Sequence, residues 1–486
     1  MRRSCVRPLR SGFLFATVAA ACLLIIPGPA AAKTAYERKV DGALAAAAAA
    51  AGPDANLHVL VYGGAADLRN AEGEGKVHLK RHLSLIDADS ATLTPGQLEE
   101  LVDDPAVKFV ALDQPVVPTA AGTPVSFPSL ASLYPAVDGA SAAWNQGYIG
   151  TGIGIAVVDS GVAPAVDFGS RLTHVQLSGQ TSIADTYGHG TFVAGVAGGV
   201  SADGRYVGIA PGASIYAIDV NDATGVYTSN VILGLDWVDA NRVAYSIRVV
   251  NISLAETTTS SYLTSPLDGA VERLWRDGVV VVVSAGNRGP GLMDYAPAND
   301  PFAIAVGAVD NAGTLATSDD QIASFSSSGK SMDGFSKPDL AAPGRLIPSL
   351  LPAATTLGQQ APLTNLIAPG YATMSGTSFA APQVAGTAAL LLQAHPDWTP
   401  DQVKWELVQT GRSLSGGIRA LDIAAAIGYS GNVDSANQGV TPSSATGSTS
   451  STSTANTNSW NTNSWNTNSW NTNSWNTNSW NAFDWG

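Results

Sequence analysis

A run of five consecutive valines, Val279–Val283, constrains the fold more than any other feature of the chain. Successive side chains of a strand point to opposite faces, so a strand that is apolar at every position must be buried on both faces. Other short runs rich in β-branched residues have the same character, namely Gly152–Val158, Ile215–Val220, Arg248–Leu254 and Ala303–Val309. These runs predict the strands of a buried, mostly parallel sheet.

Alanine-rich stretches with helical spacing separate the predicted strands. The predicted helices are Thr191–Gly198, Asn230–Asn241, Pro266–Asp277, Ser378–His395 and Thr399–Thr410. Strands that alternate with helices predict the α/β class, with a doubly wound, mostly parallel sheet flanked by helices. In such folds the reactive groups lie beyond the carboxyl ends of the strands.

The first 32 residues are typical of a secretory signal peptide. Four arginines precede the apolar stretch Phe13–Ile26, and the small residues Ala30–Ala32 supply a cleavage site. Both cysteines, Cys5 and Cys22, fall inside this segment. We therefore expect a secreted, extracellular protein that has neither a thiol nor a disulfide after the signal is removed.

The charge balance excludes one class of partner. The chain has 25 Lys and Arg against 39 Asp and Glu, a formal net charge of −14 at pH 7. Nucleic-acid-binding proteins normally present a basic surface, so no nucleic-acid partner is expected. After the signal segment no apolar run reaches the roughly 20 residues that cross a bilayer, so no stable membrane anchor is expected either.

Residues 33–125 are predicted to form a small α+β unit. Leu57–Tyr62 and Val107–Leu112 have the pattern of strands, and Thr94–Val102 has the capping residues of a helix. A proline-rich joint follows it, from Pro115 to Pro135.

The main domain is predicted over 126–428 and a low-complexity tail over 429–486. The tail repeats Asn-Thr-Asn-Ser-Trp five times between Asn456 and Trp480. A five-residue spacing matches neither a helix nor a strand, so the favoured interpretation is a disordered tail. The alternative is an adhesive repeat whose indoles stack on sugar rings or on one another.

Four chemically distinct groups lie at the ends of predicted core elements. They are Asp159 at a strand end, His189 at a helix start, Asn287 after the valine strand and Ser378 at a helix N-terminus. Each alone is most often a turn, loop or cap residue. Together they supply the nucleophile, base, carboxylate and oxyanion donor that acyl transfer needs.

From about residue 140 to 427 the sequence resembles the subtilisin-like serine protease family (subtilases). The resemblance is carried by the blocks around Asp159, His189 and Ser378, which follow one another in the order Asp, His, Ser. It implies that these three residues form the catalytic triad, and that Asn287 is the oxyanion-hole amide.

The resemblance also implies partners. Ser253, Leu254 and Ala255 match the family strand that pairs with the substrate backbone. The unit at 33–125 resembles the inhibitory propeptide that the family removes during maturation. The chain is therefore expected to be a secreted endopeptidase made as a zymogen, with peptides or proteins as substrates and its own propeptide as an intramolecular inhibitor.

The sequence departs from the family pattern at three places. Ala255 stands where the family usually has glycine, and Ala202 stands where an asparagine ligand is usual in the main calcium loop, Val200–Tyr206. Extra sequence, Leu350–Ala368, predicts a surface loop near the cleft. No cofactor is expected to be required; calcium stays open, with no metal ligands assigned.

Two other functions remain as alternatives. One is a catalytically inactive relative that acts as a binding or surface protein through its Trp-rich tail. The other is the acid-acting serine peptidase family with a glutamate base, which the Gly188-His189-Gly190 block disfavours. Arg288 further predicts tolerance of acidic residues before the scissile bond, unless it faces solvent or pairs with Asp294.

Overall fold

The computed structural model describes residues 35–63, 79–118, 131–177, 184–221, 225–414 and 416–443. The predicted signal peptide, 1–32, and the Asn-Thr-Asn-Ser-Trp repeats lie outside the described residues. None of the helices in those ranges is both long enough and apolar enough to cross a membrane.

The N-terminal unit is a four-stranded antiparallel sheet with helices. Its elements are α1 (Ala35–Lys39), α2 (Gly42–Ala50), β1 (Leu57–Gly63), β2 (Leu79–Leu83), β3 (Ala88–Leu93), α3 (Pro95–Val102), β4 (Val107–Leu112) and β5 (Val116–Pro118). The strand order is β2-β3-β1-β4, and β5 lies outside this sheet. Thr94 and Gln97 form a capping box at the start of α3, because each side chain bonds the other residue's backbone N–H.

The main domain contains the remaining elements. Its strands are β6 (Gly154–Asp159), β7 (Leu172–Val175), β8 (Ser214–Asp219), β9 (Ile247–Ile252), β10 (Leu254–Glu256), β11 (Val280–Ser284), β12 (Ile304–Asp310), β13 (Gln321–Ile322), β14 (Gly329–Lys330), β15 (Ser336–Lys337), β16 (Leu340–Pro343), β17 (Ile347–Leu350), β18 (Leu366–Ala368), β19 (Tyr371–Met374), β20 (Arg412–Ser413) and β21 (Arg419–Ala420). Its α-helices are α4 (Tyr134–Val137), α5 (Ala140–Trp144), α6 (His189–Gly198), α7 (Thr228–Asn241), α8 (Pro266–Arg276), α9 (Thr356–Gln360), α10 (Thr377–Ala394), α11 (Pro400–Thr410) and α12 (Ile423–Gly428).

The central sheet has the strand order β20-β21-β16-β12-β11-β9-β6-β8-β7. Its strands from β16 to β7 pair in parallel, and the valine strand β11 lies between β9 and β12. Every valine of that strand is buried, because helices cover the sheet and α10 packs across β9, β11 and β12. The predicted α/β fold, with a mostly parallel sheet flanked by helices, is confirmed.

The segment 429–443 packs on the main domain, although the sequence places it in the tail. The Ser443 N–H donates to both carboxylate oxygens of Glu272 at 2.8 Å, and Ser443 is buried. Asp401 accepts a hydrogen bond from the Asn437 amide at 2.7 Å. These contacts are hydrogen bonds between polar groups far apart in the sequence. A pattern of apolar residues therefore could not predict them. The chain thus packs on the main domain as far as Ser443, the last described residue.

This contact predicts different outcomes for two truncations. Removing 444–486 should leave the melting temperature unchanged, because it breaks none of the described contacts. Removing 429–486 should lower it by several degrees, since hydrogen bonds to a buried carboxylate contribute about 1.5–3 kcal/mol each. Calorimetry on the two truncated proteins compares them directly. Equal melting temperatures would contradict a structural role for 429–443.

Candidate active site

The fold brings the four predicted chemical groups to one edge of the central sheet. Asp159 is the last residue of β6, and Asn287 follows the end of β11. His189 is the first residue of α6, and Ser378 lies in the first turn of α10. Parallel strands end at the same edge of a sheet, which explains why residues so distant in the sequence meet there.

Asp159 and His189 form a buried hydrogen-bonded pair. The His189 Nδ1 lies 2.7 Å and 2.9 Å from the two carboxylate oxygens of Asp159, and both side chains are fully buried. The Ser160 N–H also donates to the same carboxylate at 2.7 Å. A carboxylate at Nδ1 favours the tautomer with the proton on that nitrogen, which leaves Nε2 as the acceptor. The Nε2 atom is buried and has no hydrogen-bond partner among the described residues.

Ser378 is held against Ser253, the residue that joins β9 to β10. Its backbone carbonyl accepts a hydrogen bond from the Ser253 hydroxyl at 3.0 Å, and its own hydroxyl lies 3.5 Å from the Ser253 carbonyl. The Asn251 amide in turn donates to the Ser253 hydroxyl at 3.0 Å. The first turn of a helix directs its backbone N–H groups outward and carries a partial positive charge. This position suits a side chain at which negative charge develops.

The Asn287 amide has a fixed orientation. Its Oδ1 accepts hydrogen bonds from the Thr377 N–H at 3.0 Å and from the Thr377 hydroxyl at 3.2 Å. The Thr377 hydroxyl also accepts from the Gly286 N–H at 3.1 Å. The amide nitrogen Nδ2 is consequently turned the other way, where it is buried and has no partner among the described residues. A buried donor without an acceptor costs free energy, and such groups occur where a ligand supplies the acceptor.

Asp185 organises the start of α6, and the sequence reasoning missed it. Its carboxylate accepts hydrogen bonds from the Gly188 N–H at 2.7 Å, the Thr191 N–H at 3.0 Å and the Ser160 hydroxyl at 3.0 Å. Burial raises the pKa of this carboxyl, although its hydrogen bonds act in the opposite direction. Asp185 thus connects the segment that follows Asp159 with the turn that precedes His189. An acidic residue just before a helix start was the available signal.

The predicted substrate-binding residues lie where a peptide strand pairs with the domain. Ser253 joins β9 to β10, and Leu254 and Ala255 begin β10. In the structure β5 pairs antiparallel with β10, with Ala255 opposite Val117 and Leu254 opposite Pro118. The edge that the sequence assigns to substrate therefore carries a segment of the N-terminal unit.

Comparisons with known proteins identify the family. The family model described as the subtilase family matches residues 150–425. The chain belongs to the subtilase family. It is 32% identical over 344 residues to the alkaline protease of Alkalihalobacillus alcalophilus, across 71% of this chain and 79% of that protein. It is 37% identical over 277 residues to the serine protease AprX of Bacillus subtilis (strain 168), across 55% of this chain and 62% of that protein.

A solved structure agrees on the fold. Fervidolysin from Fervidobacterium pennivorans, described as a keratinolytic enzyme related to subtilisin, superposes with a TM-score of 0.59 at 24% identity. The match covers 78% of this chain and 62% of fervidolysin. The family and its relatives confirm that this subtilase is a subtilisin-like serine endopeptidase, a hydrolase whose substrates are peptides or proteins.

The loop Val200–Tyr206, which the sequence compared with the family's calcium loop, closes on itself. The Asp203 carboxylate accepts from the Ser201 hydroxyl at 2.7 Å and from the Arg205 N–H at 3.1 Å. These bonds lower the pKa of Asp203, which is exposed. Across the described ranges, no group of three or more His, Cys, Asp or Glu side chains is arranged to hold a metal ion.

Arg288, the residue after Asn287, packs within the subtilase rather than pairing with Asp294. Its guanidinium lies 3.7 Å from the centre of the Tyr295 ring and donates to the Glu256 carbonyl at 3.1 Å. Asp294 accepts instead from the Met332 N–H at 2.5 Å. Burial raises the pKa of the Glu256 carboxyl to about 8. The preference for acidic residues before the scissile bond stays a prediction.

Proposed function

We propose that this subtilase is a secreted endopeptidase, made as a zymogen, that hydrolyses peptide bonds through an acyl-enzyme at Ser378. His189 removes the serine proton through Nε2 while the hydroxyl oxygen attacks the substrate carbonyl carbon. Asp159 stays ionised and holds the imidazole through Nδ1. His189 then gives the proton to the leaving amine as the C–N bond breaks. Water, activated by the same imidazole, releases the acid product in a second step.

Asn287 is proposed to stabilise the tetrahedral intermediate. Its Nδ2 donates to the oxyanion, together with the Ser378 backbone N–H in the first turn of α10. The Thr377 bonds to Asn287 hold that donor in place before the reaction, so no reorganisation is needed when charge develops. No cofactor is required for these steps, and no metal ligand enters them.

The observation that carries this proposal is a pair of buried polar atoms without partners. His189 Nε2 and Asn287 Nδ2 are both buried and lack a hydrogen-bond partner among the described residues. Other buried atoms also lack partners, but these two belong to residues that contact the neighbours of Ser378: the Asn287 Oδ1 accepts from the Thr377 N–H, and the His189 ring centre lies 5.6 Å from that of Phe379. A protein that only binds through its tail does not need a base and a donor placed together at one serine. The pair therefore favours the endopeptidase over the inactive alternative.

We further infer that residues 33–125 act as an intramolecular inhibitor of the catalytic domain. Asp113 and Gln114 cap the start of α7, because the Asp113 carboxylate accepts from the Ser229 N–H at 2.8 Å and the Gln114 carbonyl accepts from the Thr228 N–H at 2.6 Å. Apolar side chains of the unit, among them Leu60 and Phe109, belong to the same buried cluster as the main domain. Such an interface holds β5 on the substrate edge.

The direction of β5 indicates where maturation cuts. From Val116 to Pro118 the strand runs from opposite Glu256 to opposite Leu254, toward Ser253 and the Ser378 that contacts it. At Pro118, the last described residue of this segment, the strand is directed toward Ser253. We therefore propose that the cut falls within residues 119–122, and that the signal segment directs export.

Mass spectrometry of the mature protein tests this proposal. The expected mature N-terminus lies between residues 120 and 123, and a Ser378→Ala precursor should keep residues 33–118 attached. A mature N-terminus far from Pro118, or normal processing of purified Ser378→Ala precursor, would contradict self-cleavage at this edge.

A further inference from the structure

An unusually long connection joins two strands beside the active site. Strands β17 and β19 pair antiparallel, with Leu350 opposite Tyr371. The whole segment 351–370 connects these facing residues, and the Leu351 N–H closes its base by donating to the Gly370 carbonyl at 2.7 Å. A two-residue turn is enough for such a hairpin, and long loops in packed domains usually serve a function. The length of the 351–370 connection therefore indicates a function.

The first half of this connection contacts the turn that precedes His189. The Thr356 N–H donates to the Thr186 carbonyl and the Leu357 N–H donates to the Tyr187 carbonyl, both at 2.9 Å. Two backbone hydrogen bonds from consecutive residues hold the turn, much as neighbouring strands of a sheet hold each other. They reach the residues that lead directly into the general base.

Gly188, next to His189, is packed against the same connection. Its φ of +99° lies in the left-handed region that favours glycine, and a Cβ added there would clash with Thr355. The Thr355 side chain is buried and holds its own turn, because its hydroxyl donates to the Pro352 carbonyl at 2.7 Å and accepts from the Gly358 N–H at 3.1 Å.

The Thr186–Gly188 turn is therefore hydrogen-bonded to two different parts of the chain. Asp185 binds it from within, through the Tyr187 N–H at 3.1 Å and the Gly188 N–H at 2.7 Å. The connection binds the same turn through the carbonyl groups of Thr186 and Tyr187. The base of the connection is also tied to α6, because the Ser349 hydroxyl donates to the Phe192 carbonyl at 2.8 Å.

We propose that residues 351–360 form a clamp that positions His189 for proton transfer. The clamp rests on the proposed role of His189 as general base, and its residues are positioning residues that act through the Thr186–Gly188 turn. Proton transfer depends steeply on distance, and a misplacement of about 1 Å can cost roughly 100-fold in rate. Substrate binding depends on β10 instead, so the clamp affects kcat and leaves KM unchanged.

The hairpin register allows the whole connection, 351–370, to be deleted together with the clamp and β18. Replacing 351–370 by Asn-Gly joins Leu350 to Tyr371 through the preferred two-residue turn. We expect kcat and the rate of inactivation by an organophosphonate to fall together by roughly 10- to 100-fold, with KM within about twofold of the full chain's. Thr355→Val should lower kcat by a smaller factor, roughly fivefold, because losing the hydroxyl's two hydrogen bonds loosens the turn against which Gly188 packs, and Thr355→Ser should restore it.

Leu363→Ser is the matched control, since this side chain lies in the same connection and is 85% exposed. It should keep full activity. If the deletion variant does not fold, as judged by its melting curve, the Thr355→Val and Thr355→Ser pair decides. Unchanged kcat in Thr355→Val and in the folded deletion variant, or a change in KM alone, would overturn the clamp. A full chain that neither hydrolyses peptides nor reacts with the phosphonate would instead overturn the proposed function, and the clamp with it.

Discussion

Replacing Ser378 with alanine is expected to lower peptide hydrolysis on the order of a million-fold. The hydroxyl is the only proposed nucleophile, and neither His189 nor Asn287 can form the acyl-enzyme in its place. Hydrolysis that remains would come from water attacking a substrate held in the oxyanion hole. The measurement is kcat on a soluble chromogenic peptide, with the melting temperature recorded for each variant.

Ser375 supplies the matched control for this substitution. It lies three residues before Ser378 in the same segment, but its hydroxyl accepts a hydrogen bond from the Leu346 N–H at 2.9 Å and has no role in the proposed chemistry. Ser375→Ala should keep activity within a few-fold of the unmodified protein. Comparable losses in the two variants would mean that the segment, rather than the Ser378 hydroxyl, is what matters.

Asn287→Ala is expected to lower kcat by roughly 100- to 1000-fold while KM stays unchanged, because one oxyanion donor contributes about that much in the transition state. The ground-state carbonyl needs this donor far less than the oxyanion does. The substitution removes Nδ2 and leaves the Ser378 backbone N–H as the remaining proposed donor. Steady-state kinetics on the same peptide separates the two constants.

Thr377→Ser provides the control for the second substitution. It keeps both groups that bond to the Asn287 Oδ1, the backbone N–H and a hydroxyl, so the amide keeps its orientation. Its kcat should stay near that of the unmodified protein. A loss in Asn287→Ala that falls on KM alone would remove Asn287 from the oxyanion hole.

Local pattern was enough to predict the central sheet. Val279–Val283 can be satisfied only by burial on both faces, and the structure buries all of it in the middle of the sheet. The same reasoning brought Asp159 and Asn287 to one edge, because parallel strands end together. Capping residues also predicted where one helix begins, because Thr94 and Gln97 form the expected capping box at the start of α3.

Contacts between polar groups distant in the sequence could not be predicted in this way. Ser443 binds Glu272 through a single backbone N–H, and Asp185 accepts from the distant Ser160 as well as from Gly188 and Thr191 nearby. Neither set of hydrogen bonds follows the helical or strand periodicity on which the sequence predictions depend. The clamp at 351–360 was unpredictable for a related reason. It binds the turn before His189 through backbone N–H groups, which nearly every residue type has, so the sequence does not mark them.

Labelling the mature protein with an organophosphonate, followed by mass-spectrometric mapping of the modified peptide, shows whether Ser378 is the activated nucleophile. Such a reagent bonds through phosphorus to a serine oxygen only where a base takes the proton and an oxyanion hole receives the charge. We expect one modification, on Ser378, that is lost in Ser378→Ala and strongly slowed in Asn287→Ala. Modification of a different residue, or none in a folded mature protein, would contradict the account.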